Sequence, residues 1–463
     1  MKHIALVCSL LASAAVAATP QRPNFVVILG EGHGWSSTSV RMDDAVPGSK
    51  SDYVRAPNFE KLAAAGMRLA NFYAPSPRCT PSRVAYFTGK SPAQLHMTFI
   101  NEGKKDGGGA GNTRVILPSA SMELPTSETT IAKLLKRAGY ATAHFGKWHM
   151  GRANPSQHGY DENDGANGNG GPDNVDNPHP KQLYAMTEHG LDFMARQVKA
   201  GKPFFLELDH YASRNGGDAR PETVAAVKKW GGNLNERELA EAAADLDLDI
   251  AFEMVLKKLD ELGIANNTYV IFTTDHGTPG RNPPLAGGKG TVWEGGLRVP
   301  FIIRGPGIKA GSCSHVRAVG VDLFPTIAEL AHVTVSLPKG IEGGSLVPVF
   351  TAGAVKRTHE EYVVHFPHYD KDAIGPASAI LLGDFKLIHA YETGTLRLFN
   401  IAKDPGERHD LAKEMPDKVV ELNRRLDEYL KSMNAQMPTP NPNYDPSKPT
   451  DASREGKRKK DRR

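Results

Sequence analysis

The chain predicts an α/β fold: a largely parallel central sheet flanked by helices, followed by a small C-terminal antiparallel α+β subdomain. Three observations carry this. Apolar runs of strand length, FVVILG (25–30), YATAHFG (140–146), FFLELD (204–209) and YVIFTT (269–274), alternate with longer amphipathic stretches. Ionisable residues stand just after each of these runs, as they do where an open α/β sheet presents a site at the carboxyl ends of its strands. Late in the chain the pattern changes to two short runs, DFKLIHAY and TLRLFNI, joined through a Thr-Gly turn and followed by a helix of about four turns over 416–432.

Taken in order, residues 1–17 read as a secretory signal. Lys2 and His3 form a basic start, IALVCSLLASAAVA an apolar segment, and Ala15-Val16-Ala17 a small-x-small cleavage site. The apolar run is too short for a membrane span. The chain is therefore expected to be exported, to a periplasm or the outside. FVVILG is a buried strand. FEKLAAAG is a short helix stopped by Gly66, and TTIAKLLKRAG a helix stopped by Gly139. FFLELD follows Pro203, and the long helix ERELAEAAADLDLDIAFEMVLKKLDELG ends at Gly263. VPFIIRG (299–305) is a further strand. KKDGGGAGNTR (104–114) and DGANGNGGPDNVDNPHP (164–180) are long loops of the kind that wall substrate clefts. The expected organisation is signal 1–17, catalytic domain 18–355, C-terminal subdomain 356–436 and a disordered basic tail 437–463.

The formal charge of +4 misleads. The last eleven residues, SREGKRKKDRR, hold seven Lys or Arg against two Asp or Glu, so the rest of the chain sits near −1. That excludes a basic nucleic-acid-binding body. Of three cysteines, Cys8 lies in the signal, leaving Cys79 and Cys313; there is no disulfide framework and no Cys-x-x-Cys metal pattern. A chain of 463 residues has length enough to be held by its core instead.

The chemistry centres on Pro75-Ser76-Pro77-Arg78-Cys79-Thr80-Pro81-Ser82-Arg83. Pro75 and Pro77 forbid a helix before Cys79, and Pro81 is tolerated in a first helical turn. Cys79 is thus expected at a helix N-terminus, where free N–H groups and the helix dipole favour an anion. Arg78 and Arg83 add fixed positive charge. A thiol so placed is either an activated nucleophile or a small buried residue at a helix start. Glu31 and His33, Lys147 and His149, His210 and Arg214, and Asp275 and His276 follow the four strands, and their convergence beside Cys79 describes an anion and metal site.

Cys79-Thr80-Pro81-Ser82-Arg83 resembles the Cys-x-Pro-x-Arg signature of the type I, formylglycine-dependent sulfatases of the alkaline phosphatase-like superfamily. Gly139-Tyr140 through Gly146-Lys147-Trp148-His149-Met150-Gly151 resembles a second block of that family. Phe272 to Gly277 resembles its metal block, and Gly288-Lys289-Gly290 through Arg298-Val299-Pro300 its second lysine block. The stretch DFKLIHAYETGTLRLFNIAKDPGERHDLA resembles its C-terminal subdomain. The resemblance implies that Cys79 is converted to formylglycine by a maturation enzyme. It implies too that Arg83 holds the aldehyde hydrate, Lys147 and Lys289 bind the sulfate, and His149 removes a proton. One hydroxyl of the hydrate attacks sulfur; the other, deprotonated, collapses to release sulfate. A divalent metal, Ca²⁺ by resemblance, falls to Glu31, Asp275 and His276, with His33 as a further ligand. The substrate expected is a sulfated small molecule or a sulfated carbohydrate.

Two positions depart from the family. Gly32 stands where a second adjacent aspartate binds calcium, and the imidazole of His276 opens the site to manganese or zinc. Arg214 stands near a sulfate-contacting histidine; it binds sulfate bidentately but is no acid near neutral pH, which leaves His210 for that task. Three alternatives stay open: a phosphate or phosphonate ester hydrolase of the same superfamily, a non-catalytic binder of sulfated glycans, and a phosphatase using the unmodified Cys79 thiol.

Overall fold

The computed structural model describes residues 22–100, 111–168, 182–211, 219–280 and 282–448. The expected signal, Arg214 and the last fifteen residues lie outside them, as do parts of both Gly-rich loops.

The four apolar runs do become the centre of a sheet. Eight strands lie in the order Ser312–Ser314, Met67–Leu69, Ile302–Arg304, Thr268–Thr274, Asn24–Gly30, Phe204–Asp209, Ala141–Gly146, Glu162–Asn163. The last five of these run parallel; Ile302–Arg304 runs against both its neighbours. The register aligns the strand ends: Gly30 lies opposite Thr274, and Gly146 opposite Asp209. The loops leaving these strands therefore emerge along one edge.

Alternate residues of Asn24–Gly30 feed two cores. Phe25, Val27 and Leu29 pack on one face with Leu134, Leu135 and Ile303. Val26 and Ile28 pack on the other with Leu206, Phe252 and Val255. This is the two-faced burial that helix-covered parallel sheets require. The helix Pro57–Ala65 joins the second face through Phe59, stacked on Phe252 with ring centroids 4.9 Å apart. The long helix Glu236–Glu261 starts at a capping box: Asn235 Oδ1 accepts from the Glu238 amide and Glu238 Oε2 from the Asn235 amide, both at 3.0 Å. No helix among the described residues is long and apolar enough to cross a membrane.

The C-terminal sheet has four antiparallel strands, Tyr362–Phe366, Ala377–Leu382, Phe385–Ala390 and Thr395–Asn400. One face takes Leu422, Leu426 and Tyr429 of the helix Pro416–Ser432. The other packs Val364, Phe366 and Ala379 against Tyr73, Ala85 and Leu297, so this subdomain shares a core with the catalytic layer. The segment expected to begin a disordered tail is ordered as far as residue 448. Thr439–Pro440 pairs antiparallel with Val115–Ile116, and Asn112 holds the Asp445 amide at 2.8 Å, because polar Asn and Asp side chains here satisfy an extended backbone rather than leave it to water.

Candidate active site

The turn before Cys79 is fixed locally. Ser82 Oγ donates to the Ser76 carbonyl (2.7 Å) and accepts from the Ser76 amide (3.1 Å), folding the two prolines back onto the helix start. Arg78 is the extended N-cap of the helix Cys79–Thr88, so Cys79 is its first residue, and every residue of that helix is buried. The Lys147–His149 turn is held from three sides. The Lys147 amide donates to the Asp209 carbonyl (2.8 Å), the His149 amide to the Asn167 carbonyl (2.8 Å), and Thr80 Oγ1 to the His149 carbonyl (2.9 Å). His149 has a φ of 56°, an uncommon conformation for a residue with a side chain and one that such bracing must hold.

Eight of the expected residues meet here. Glu31 Oε2 is 2.7 Å from Lys147 Nζ, and Oε1 is 3.4 Å from Lys289 Nζ. Cys79 Sγ lies 3.2 Å from His276 Nε2 and 3.9 Å from Glu31 Oε1. Arg83 is wholly buried. Its Nη1 donates to Asp209 Oδ2 and the Lys147 carbonyl, both at 2.6 Å, and its Nη2 to Asp275 Oδ2 at 3.4 Å. Arg83 thus braces the site between two carboxylates.

The electrostatics follow from burial and charge. Burial pushes the Cys79 thiol up, but Lys147, Lys289, His276 and a hydrogen bond from His149 together take it well below its ordinary range. Burial likewise opposes ionisation of Glu31, yet Lys147, with Lys289 and Arg83, holds its carboxyl down at about 2. Lys289 loses solvation too, and Cys79, Glu31 and Asp275 carry it up to about 12. The pocket stabilises negative charge at the Sγ position and keeps Lys289 and Arg83 charged.

The donor set fits a divalent cation. One ligand atom each from Glu31, Cys79, Asp275 and His276 lies within 4.8 Å of the others. His276 Nδ1 donates to the Gly277 carbonyl at 2.9 Å, which orients the ring and leaves Nε2 as the atom that faces the site. Nε2 lies 3.3 Å from Asp275 Oδ1 and 3.2 Å from Cys79 Sγ, so deprotonated it would join that carboxylate as a ligand of one cation.

Two expected residues are not brought into this group. His33 Nε2 pairs with Asp245 of the long helix at 2.9 Å, which turns the ring away from Glu31 and Asp275. His210 Nε2 contacts Thr187 Oγ1 at 3.0 Å, and burial pushes its pKa down to about 4 despite Asp209, so it is neutral at physiological pH. Asp209 and Asn167 were not singled out from sequence. Asp209 was legible only as the polar end of FFLELD. Asn167 lies in the Gly- and Asn-rich loop, with no local signal for its grip on Trp148 and His149.

Comparison with known proteins matches the family model Sulfatase over residues 23–333, and the family model N-sulphoglucosamine sulphohydrolase, C-terminal, over residues 288–436. N-acetylgalactosamine-6-sulfatase of Mus musculus is 32% identical over 394 residues, covering 76% of this chain and 70% of that protein. Arylsulfatase A of Homo sapiens is 28% identical, covering 87% and 86%. Among solved structures, Ps i-CgsB in complex with k-i-k-neocarrahexaose superposes with a TM-score of 0.73 at 23% identity, covering 89% of this chain and 93% of that one.

Proposed function

The chain belongs to the sulfatase family and is a sulfuric ester hydrolase, and from that premise we propose that it is exported and removes sulfate from a sulfated glycan through a formylglycine made from Cys79. The observation that carries this is the setting of residue 79: first in its helix, between Lys147 and Lys289, with His149 and His276 against the reacting atom. A formylglycine there supplies, as its hydrate, one hydroxyl to attack sulfur and a second whose proton can be lost. Lys147 and Lys289 bind and orient the sulfate oxygens and oppose the negative charge that grows on them. His149, whose ring lowers the pKa of the residue-79 thiol, takes the proton. Arg83 keeps Asp209, Asp275 and the Lys147 carbonyl in register beneath them.

Glu31, Asp275 and His276 would hold the divalent cation, with residue 79 facing it; once bound it supplies positive charge beside the sulfate. The two hard carboxylates favour calcium, and the imidazole admits manganese or zinc. The glycan reading rests on the relative that is named for an N-acetylgalactosamine sulfate.

The test is the mass of the tryptic peptide spanning Cys79, from protein made together with a formylglycine-generating enzyme. Conversion is expected; an intact thiol in protein that releases sulfate overturns the mechanism. Cys79→Ala and His149→Ala should each lower sulfate release by about a thousandfold with the circular dichroism unchanged. Aryl phosphate turned over faster than aryl sulfate would move the reading to phosphate esters. N-terminal sequencing of exported protein should begin near Ala18.

A further inference from the structure

The catalytic groups are buried, and among the described ones Lys289 is the most exposed. Its side chain is 13% exposed, against 8% for Glu31 and none for Lys147, Arg83, Asp275 and His276. On that side lies a cleft of about 420 Å³, within the range of sites that bind small molecules. Lys289 forms part of its wall, so the cleft begins where the sulfate site ends.

Its chemistry is one-sided. Among the described residues, the charged groups on its wall besides Lys289 are Lys371 and Arg408, and no Asp or Glu lines it. Neighbouring acids are turned elsewhere by specific bonds. Asp370 is paired with Arg78. Glu407 is buried, accepting from the Glu294 amide at 2.7 Å and pairing with Lys386 at 2.8 Å. Asp404 accepts the Arg408 and His409 amides at 2.6 and 2.9 Å. Among the described residues, no carboxylate pairs with the Arg408 guanidinium. The anchoring of Asp370 and Glu407 is also what leaves the next residues, Lys371 and Arg408, at the cleft. Pro283, Pro284 and Leu285 give the remaining wall apolar surface of the kind that packs on the C–H face of a sugar ring.

We propose that this cleft is a second subsite, which receives the sugar next to the scissile sulfate and binds a further anionic group on it, a sulfate or a carboxylate, through Lys371 and Arg408. The implied substrate class is a glycan with at least two anionic groups, one for residue 79 and one for the cleft. This rests on the sulfatase reading and adds a specificity to it. Cations gathered on one concave wall focus their field on an anion more than the same charges dispersed over open surface, and a guanidinium matches an anionic oxygen pair bidentately.

The experiment measures kcat/KM of the matured enzyme on 4-nitrophenyl sulfate and on the monosulfated and disulfated forms of one hexosamine disaccharide. Wild type should prefer the disulfated over the monosulfated disaccharide. In Lys371→Gln/Arg408→Gln that preference ratio should fall about tenfold, mostly through KM. The charge-conserving Lys371→Arg/Arg408→Lys should retain most of it. Both residues are exposed, and a melting curve close to wild type confirms folding. Sulfate release from all three substrates by wild type, with the same preference ratio in the Gln variant, overturns the subsite and leaves the sulfatase reading standing. Release from none of the three by matured wild type overturns that reading and the subsite with it.

Discussion

At the scale of single residues, the site turns on what replaces a missing carboxylate. Gly32 has φ +64°, and its amide donates to Asp275 Oδ1 at 3.1 Å. A Cβ there would stand 3.3 Å from His276 Cε1 and 3.4 Å from Pro279 Cδ, close but open to a small shift. Aspartate tolerates this backbone region better than most residues, at a cost of about 1 kcal/mol. Gly32→Asp should therefore fold, melt slightly lower, and place a third carboxylate beside Asp275. Calorimetry on chelator-stripped protein should then show calcium binding about tenfold tighter than wild type. Equal affinities would separate the metal from this turn. Stripping wild type should abolish sulfate release, and activity that survives complete stripping would end the metal assignment. Most of these residues were legible because each stands within a few positions of a strand end, where local sequence fixes direction. His33 misled for the same reason: its neighbours place it at the sheet edge, but its partner Asp245 is more than two hundred residues away and sets the ring's direction.

At the scale of elements, strand and helix identity followed from apolar period and stop signals, while the joins between elements did not. The helix Pro57–Ala65 shows why. Its N-cap is Ala56, which offers no side-chain acceptor. The cap comes instead from Asp249 on the long helix. Oδ1 accepts from the Asn58 and Phe59 amides, both at 2.9 Å, and Oδ2 takes the Asn58 side-chain amide at 2.7 Å. A bond between residues 191 apart leaves no trace in a window of sequence. Burial carries Asp249 up to about 6, even though these amides pull it down. Asp249→Ala leaves two buried amides without an acceptor and should cost about 2 kcal/mol, read as a lower urea midpoint at unchanged m-value. Asp249→Asn, which keeps one acceptor oxygen, should fall between. A shift under about 0.5 kcal/mol for the alanine variant would mean that the helix start is satisfied in another way.

At the scale of the whole molecule, the two sheets are joined by more than apolar contact, and that junction was invisible in the sequence. Lys386, wholly buried in the strand Phe385–Ala390, lies 3.1 Å from Glu294 Oε1 and 2.8 Å from Glu407 Oε1, while Glu294 Oε2 accepts from Tyr73 OH at 2.8 Å. Catalytic layer, C-terminal sheet and the loop bearing Arg408 thus share one buried charge cluster, close in sequence to Lys289. Each of the three charged residues alone reads as a surface group; only the fold makes them partners. One cation faces two carboxylates, so a proton is retained. Burial, then Glu294, push Glu407 up to about 7, although Lys386 and the Glu294 amide act the other way. The sign of its linkage is set by that rise. Between about pH 4.5 and 7 the unfolded chain has released this proton and the folded chain still holds it, so stability from this group is complete below that window and is lost as pH rises through it. Glu407→Gln removes the titration while keeping an acceptor for the Glu294 amide. Melting temperatures of both proteins across the window should therefore converge or cross as pH rises, with wild type losing ground to the variant. Parallel curves would show that Glu407 does not titrate there, and that the cluster holds the two sheets together with both carboxylates ionised.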